Sequence, residues 1–195
     1  MLKYHFDSAT KINFILFGII FVILIPSFAN MTLPLILDYQ THKLLHILGA
    51  ILFIGNILIT GLWGFLASKS RVEVLPFASK TINRADVFFT GPGAILLVFN
   101  GIVMTSAFSN GYETPWIGLP YFLFLGTGLI WIVNLVRYQS NLVLIGLMLE
   151  NESDPNKIEE FKNQFKAIFS TWTFWGILAV ILPLIAMVFM VLKLQ

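Results

Sequence analysis

Two histidines one helical turn apart, His42 and His46, open an apolar run that carries no charge from Leu44 to Ser68. At positions i and i+4 both imidazoles fall on one helix face. A neutral imidazole is a ligand for haem iron or copper, and a methionine thioether is a suitable opposite ligand. Met104 and Met190 close later apolar runs. Antiparallel helix order brings both to the depth of His46, about 6 Å below the outer end of its helix at 1.5 Å per residue. One intrahelical histidine pair cannot clamp a haem from both faces. A His46–Met104 pair, a His46–Met190 pair or a symmetric homodimer can. The expected cofactor is therefore haem b in the outer half of the molecule, for electron transfer, with copper on His42 and His46 as the alternative. The competing reading is a pair of interfacial histidines bonded to backbone.

Other chemistries find no residues. The chain has no cysteine, which excludes disulfides, iron–sulfur clusters and thiolate zinc sites. Paired intramembrane carboxylates, His-Glu-x-x-His, Gly-x-Ser-x-Gly, phosphate loops and dinucleotide fingerprints are all missing, so no catalytic residue is assigned. A net charge of +2 gives no reason to expect a nucleic-acid partner.

The elements that position these residues are membrane spans. Of 195 residues, 57% are hydrophobic and 11% charged, whereas soluble domains carry roughly 25% charged residues. Lipid is the natural solvent of such a chain. Five segments reach the roughly 20 apolar residues that cross a bilayer. They are residues 12–29, 42–67, 87–107, 121–147 and 167–192, and none alternates as a membrane strand does. The expectation is an all-α integral membrane bundle, a single domain over 1–195, with a cytoplasmic segment at 148–166. Ser27-Phe28-Ala29 has the small-x-small form of a signal cleavage site; the reading adopted is a retained helix. With the N-terminus inside, Lys3, Lys11, Lys69, Arg71, Lys80, Arg84, Arg137, Lys157, Lys162 and Lys166 face the cytoplasm. Only Lys43 and Lys193 lie outside, so the bias favours N-inside, C-outside. Tyr112 and Trp116 suit an outer aromatic belt, and Trp63 and Trp172 an inner one. Asp154-Pro155 reads as a helix start, after which Ile158, Phe161, Phe165 and Phe169 share a face.

Polar groups inside hydrocarbon turn inward. In the second segment His42, His46, Gly49, Phe53, Thr60 and Gly64 form one stripe, with Asn56 at its edge. The third offers Asp86, Thr90, Gly93, Asn100 and Met104. The fourth offers Thr127, Trp131, Asn134 and Tyr138, and the fifth Trp172, Gly176, Ala179, Pro183 and Met190. The glycines, Gly176 among them, read as close-packing positions, and the asparagines as interhelical hydrogen-bond glue. Asp86 is expected at the cytoplasmic start of the third helix, facing its dipole and pairing with Arg84 or a loop charge. Thr90-Gly91-Pro92-Gly93 is expected to kink.

Leu45-His46-Ile47-Leu48-Gly49-Ala50 with Gly55-Asn56, Ala85-Asp86 with Phe89-Thr90-Gly91-Pro92-Gly93, Trp175-Gly176 and the terminal Phe189-Met190-Val191-Leu192-Lys193 resemble the signature of an uncharacterised bacterial integral-membrane family. The resemblance covers residues 42–195 and implies a four-helix core with the first helix added. More distantly, Leu45-His46, the basic Lys80/Arg84 and Thr90 to Gly93 with Gly101 are similar to CopD-type copper-resistance proteins and HemJ-type protoporphyrinogen oxidases. That likeness implies a haem-binding role for His46 alone; the HemJ-type pattern also has a lysine or further histidines in its membrane core, which have no counterpart in this sequence, so the oxidase activity is not expected. Location in a bacterial cytoplasmic (inner) membrane follows. The expected function is haem or copper binding for electron transfer. The alternative is a structural or accessory subunit of a membrane complex with no cofactor, and a transporter is disfavoured by few intramembrane charges and no repeats.

Overall fold

The computed structural model describes residues 7–29, 31 and 33–194; Lys3, counted toward orientation, lies outside the described residues. Five helices long and apolar enough to span a membrane make up the chain: α1 (Ser8–Phe28), α2 (Tyr39–Ser68), α3 (Val74–Thr105), α4 (Pro115–Glu150) and α5 (Pro155–Leu192). The protein is an all-α, multi-pass membrane bundle. α2 lies along α3, α4 along α5, and α1 covers α3.

Their starts follow from capping. Asp38 accepts from the Thr41 backbone N–H at 3.0 Å to begin α2. Asp154 accepts from the Asn156 N–H at 2.9 Å to begin α5, with Pro155 in the first turn, as the sequence predicts. Asp7 does the same for α1 through Thr10. The Ile158–Phe169 face packs inward: Phe165 and Phe169 are buried in a cluster with Leu75 and Ile145, and Ile158 and Phe161 rest against it.

The sequence places the start of the third helix too late. α3 begins at Val74, more than three turns before the apolar run, because its first turns are amphipathic and bury Leu75, Ser79 and Ile82. A hydropathy window sees only the uniformly apolar part. Asp86 consequently sits in mid-helix, within a π-helical turn over Asp86–Thr90. The Gly91 N–H bonds to the Asp86 carbonyl there, five residues back. Pro92 has no N–H to offer the Phe88 carbonyl in α-helical register, so the hydrogen-bond ladder shifts just before it. A second π-helical turn, Trp131–Leu135, interrupts α4.

Glycine sets the tightest crossing. A Cβ on Gly49 would stand 2.6 Å from the Leu97 backbone N and 2.7 Å from the Gly93 carbonyl, and one on Gly93 2.8 Å from the Phe53 N. α2 and α3 thus touch backbone to backbone, which only glycine on both sides permits. α1 is tied in by Asn83, whose amide donates to Asp7 and Thr10 and whose oxygen accepts from Asn13 at 3.2 Å.

Candidate functional site

The histidine end divides into two unequal roles. His42 is 1% exposed. Its Nδ1 lies 2.7 Å from Asn100 Oδ1, and its Nε2 accepts from the Leu37 backbone N–H at 3.2 Å. An amide oxygen only accepts, so Nδ1 carries the proton and one neutral tautomer satisfies both bonds. Asn100 in turn donates to the Leu96 carbonyl. His42 is a clasp joining the loop before α2 to the middle of α3, with no lone pair left for a metal.

His46 differs. Its Nδ1 lies 2.7 Å from the Leu97 carbonyl, which fixes the proton on Nδ1 and leaves the Nε2 lone pair. The ring lies flush on α3 because position 101 is glycine: a Cβ there would stand 3.1 Å from its Cε1. Met104 stands on the α3 face that carries Leu97 and Gly101, two turns beyond Leu97. Met190 lies in the last turn of α5. Both methionines are half-buried. Among the described residues, no group of three His, Cys, Asp or Glu side chains is placed to hold a metal ion.

A second polar centre lies deeper. Asp86 is 7% exposed, and its carboxylate accepts from Asn56 Nδ2 at 2.9 Å, Thr90 Oγ1 at 2.8 Å and Gln139 Nε2 at 2.9 Å. Asn56 also donates to Thr90 Oγ1 at 2.7 Å. Three helices therefore converge on one carboxylate through neutral donors. This replaces the expected pairing with Arg84. Asp86 and Thr90, the two ends of the π-helical turn, are both buried. Asn56 is interhelical glue, as its type and depth predict. Gln139 was not singled out by the sequence reading. The available signal was a polar run, Tyr138-Gln139-Ser140-Asn141, inside an otherwise apolar segment.

This carboxylate borders a cavity of about 330 Å³ to which all five helices contribute. Its walls are mostly apolar and aromatic. Phe53 faces Phe124 with ring centroids 5.4 Å apart, and Phe17 faces Trp131 at 6.0 Å. Three glycines, Gly61, Gly128 and Gly176, border it. Nothing lies within 4 Å of a Cβ built on Gly61 or Gly176. Gly176 is thus not the close-packing position its sequence context suggests; its missing side chain makes room. Trp172, expected in the inner belt, is 9% exposed and lines the cavity. Its indole Nε1 and the neighbouring Thr173 Oγ1 are buried without a hydrogen-bond partner among the described residues.

The family resemblance is the part of the sequence reading that comparison supports. A model of predicted integral membrane proteins, DUF2269, matches residues 40–194. No curated protein and no solved structure matches, and no specific homology to haem or copper proteins accompanies the family match. The matched stretch takes in α2 to α5 with the His42–Asn100 clasp, the Gly49–Gly93 crossing and the Asp86 centre. The chain belongs to the DUF2269 family of predicted integral membrane proteins.

Proposed function

We propose that this protein is a structural or accessory subunit of a membrane complex, working without a cofactor. It sits in the bacterial cytoplasmic membrane with its N-terminus inside and its C-terminus outside. One observation carries the reading: both ring nitrogens of His42 are engaged in holding the loop and α3, so the histidine pair is not available as a ligand pair. The other motif residues support it. Gly49 and Gly93 make a helix crossing, and Asn56, Asp86 and Thr90 bond to one another. The orientation rests on the basic residues gathered at one end, where Lys80 meets Glu150 at 2.6 Å.

A second reading is favoured by one observation. The Nε2 of His46 has a lone pair, and its Nδ1–H is oriented by a carbonyl, the arrangement that metal-bound histidines use. A b-type haem there would supply one-electron transfer. His46 would hold it, together with Met104, Met190 or His46 of a second copy. The test is an absorption spectrum and metal analysis of the protein purified from native membranes, beside His46→Ala, with native mass spectrometry of the assembly. The accessory reading expects no Soret band, no stoichiometric copper and a heteromer of fixed stoichiometry. A Soret band or bound copper that disappears in His46→Ala overturns it.

A further inference from the structure

We propose that the cavity beside Asp86 is a binding site for a small organic ammonium ion, a protonated amine on an apolar body, whose N–H donates to the Asp86 carboxylate. The site lies at the middle of the bundle, apart from the histidine end, and opens sideways into the lipid between α2 and α5. From His46 to Phe53, where the cavity wall begins on α2, is about 10 Å at 1.5 Å per residue.

Three features specify the ligand. The first is an uncompensated charge. Asp86 lines the cavity together with Thr90 and Gln139, which bond to it. Both of its oxygens act as acceptors. Oδ1 takes the Asn56 amide at 2.9 Å and the Thr90 hydroxyl at 2.8 Å, and Oδ2 takes the Gln139 amide at 2.9 Å. All three donors are neutral, and the ion pairs Lys80–Glu150, Lys157–Glu152 and Lys162–Glu159 leave Asp86 out. A carboxylate has about four lone-pair sites, so Oδ2 has one to offer. A charge buried among apolar groups is costly unless it is paired, and intramembrane carboxylates mark ligand and ion sites. The second feature is the wall. The ring pairs Phe53–Phe124 and Phe17–Trp131 line the space, and the negative faces of such rings attract an organic cation. A hard divalent metal ion needs about six oxygen ligands, which a mostly apolar wall does not supply. An ammonium needs one strong acceptor and aromatic surroundings. The third is size. A volume of about 330 Å³ falls at the small end of ligand pockets, roughly 300–1,000 Å³.

The space is reached from the bilayer. α2 and α5 touch at Gly64, where a Cβ would stand 2.7 Å from Phe169 Cε2. About one turn on, at Gly61 of α2 and Gly176 of α5, a Cβ would meet nothing within 4 Å. Leu58 on α2 and Ile177 on α5 line the cavity and are each more than half exposed. The gap between these two helices is therefore the entry, and an amphiphilic amine dissolved in the lipid meets it directly.

The test uses the full chain in phosphatidylcholine nanodiscs and equilibrium dialysis against empty nanodiscs, which removes partition into lipid. The probes are N,N-dimethylbenzylamine (protonated at neutral pH), isobutylbenzene, which has the same shape with a CH in place of the charged N–H, and benzyltrimethylammonium, which has the charge and no N–H. Expected is saturable binding of one dimethylbenzylammonium, with both other probes weaker by about tenfold, in line with a hydrogen bond to a charged group. Asp86→Asn, which keeps the size of the side chain and removes its charge, should weaken the amine about tenfold and leave isobutylbenzene unchanged. Gly176→Leu, which fills the entry, should abolish saturable binding of the amine. Absence of saturable amine binding by wild type, or wild-type affinity in Asp86→Asn, overturns the site. Isobutylbenzene binding as tightly as the amine overturns the charge assignment, and benzyltrimethylammonium doing so overturns the N–H assignment. Wild-type affinity in Gly176→Leu overturns the entry between α2 and α5. If either variant fails to fold, the comparison of the three probes on wild type decides alone.

Discussion

Two glycine-to-alanine changes should move stability in opposite directions. At Gly49 the new methyl lies 2.6 Å from the Leu97 N and 2.7 Å from the Gly93 carbonyl, both main-chain atoms of α3. Ordinary contact begins near 3.4 Å, so α2 and α3 must separate by about 0.8 Å. A gap of 0.5–1 Å forfeits about a quarter to a half of each van der Waals contact it opens. Overpacking of this kind costs about 1–3 kcal/mol. Against it stands the higher helix propensity of alanine, up to about 1 kcal/mol. The net loss for Gly49→Ala is about 1–2 kcal/mol, a factor of roughly 5–30 in the folded-to-unfolded ratio. At Gly176 nothing lies within 4 Å of the methyl, so only the gain of up to about 1 kcal/mol operates. The propensity gain is common to both, so the two variants should differ by the overpacking cost, about 1–3 kcal/mol. Unfolding in mixed micelles by titration with a denaturing detergent, followed by circular dichroism, measures it. A Gly49→Ala protein as stable as Gly176→Ala would refute the backbone contact between α2 and α3.

Four further changes probe the remaining contacts. Asp86→Leu strands the amide of Gln139 and weakens the Asn56–Thr90 pair, costing about 1–3 kcal/mol in the same titration; Asp86→Asn keeps one acceptor oxygen and should cost less than half of that. His42→Ala leaves the Leu37 N–H and Asn100 Oδ1 unpaired, and hydrogen exchange should accelerate at residues 35–42 by about tenfold or more. Asn83→Leu removes the bonds to Asp7, Thr10 and Asn13, so α1 should exchange and proteolyse faster while α2 to α5 stay protected. The Thr41 hydroxyl, and then its backbone N–H, hold the Asp38 carboxyl below its ordinary value, and the N–H groups of Asp154 and Ser153 do the same for Glu152. A depressed folded-state value means the stabilisation is complete above the unfolded value, near pH 4, and is lost as pH falls through the folded one. Relative to their intrinsic exchange rates at each pH, the Thr41 and Asp154 amides should lose protection below about pH 4 and keep it between pH 5 and 8.

The number of spans and their inward faces were legible because both depend on period and polarity alone. On α2 the stripe of His42, Gly49, Phe53, Thr60 and Gly64 is buried as its spacing requires, and Asn56 joins it. Helix starts were legible where a cap marks them, as at Asp154-Pro155. They were not legible at Val74, where amphipathic turns precede the apolar run. The candidate site was half visible. His42 gives its Nε2 lone pair to the Leu37 N–H of the loop before α2, His46 has no such neighbour at its Nε2 among the described residues, and the Nδ1 partners, Asn100 and Leu97, lie more than 50 residues away in the chain. Spacing puts two imidazoles on one face but says nothing of which lone pair is free. Asp86 looked like a dipole partner because its helix seemed to start there. Gly176 looked like a packing contact because an absent side chain reads the same whether a neighbour or a space lies beside it.

The two π-helical turns connect these local accidents to the cavity. Each shifts the ladder by one residue, at Asp86–Thr90 and at Trp131–Leu135, and all four of these end residues line the cavity. Such insertions in α-helices concentrate at functional sites, because they rotate side chains that a regular helix would point elsewhere. In α3 the turn ends just before Pro92, which has no N–H to offer the Phe88 carbonyl, and Asp86 is its first residue. Asn56 bridges the inward Asp86 and Thr90, and Gln139 reaches the remaining oxygen from α4. A proline and a carboxylate on α3 and amides on α2 and α4 thus act as one unit. Replacing Pro92 by alanine tests this directly. Restoring a donor to the Phe88 carbonyl should favour regular α-helix, turn Asp86 away from Gln139, and remove the stability that depends on Asp86 in the same detergent titration. If stability stays at the wild-type level, the π-helical turn does not depend on the proline.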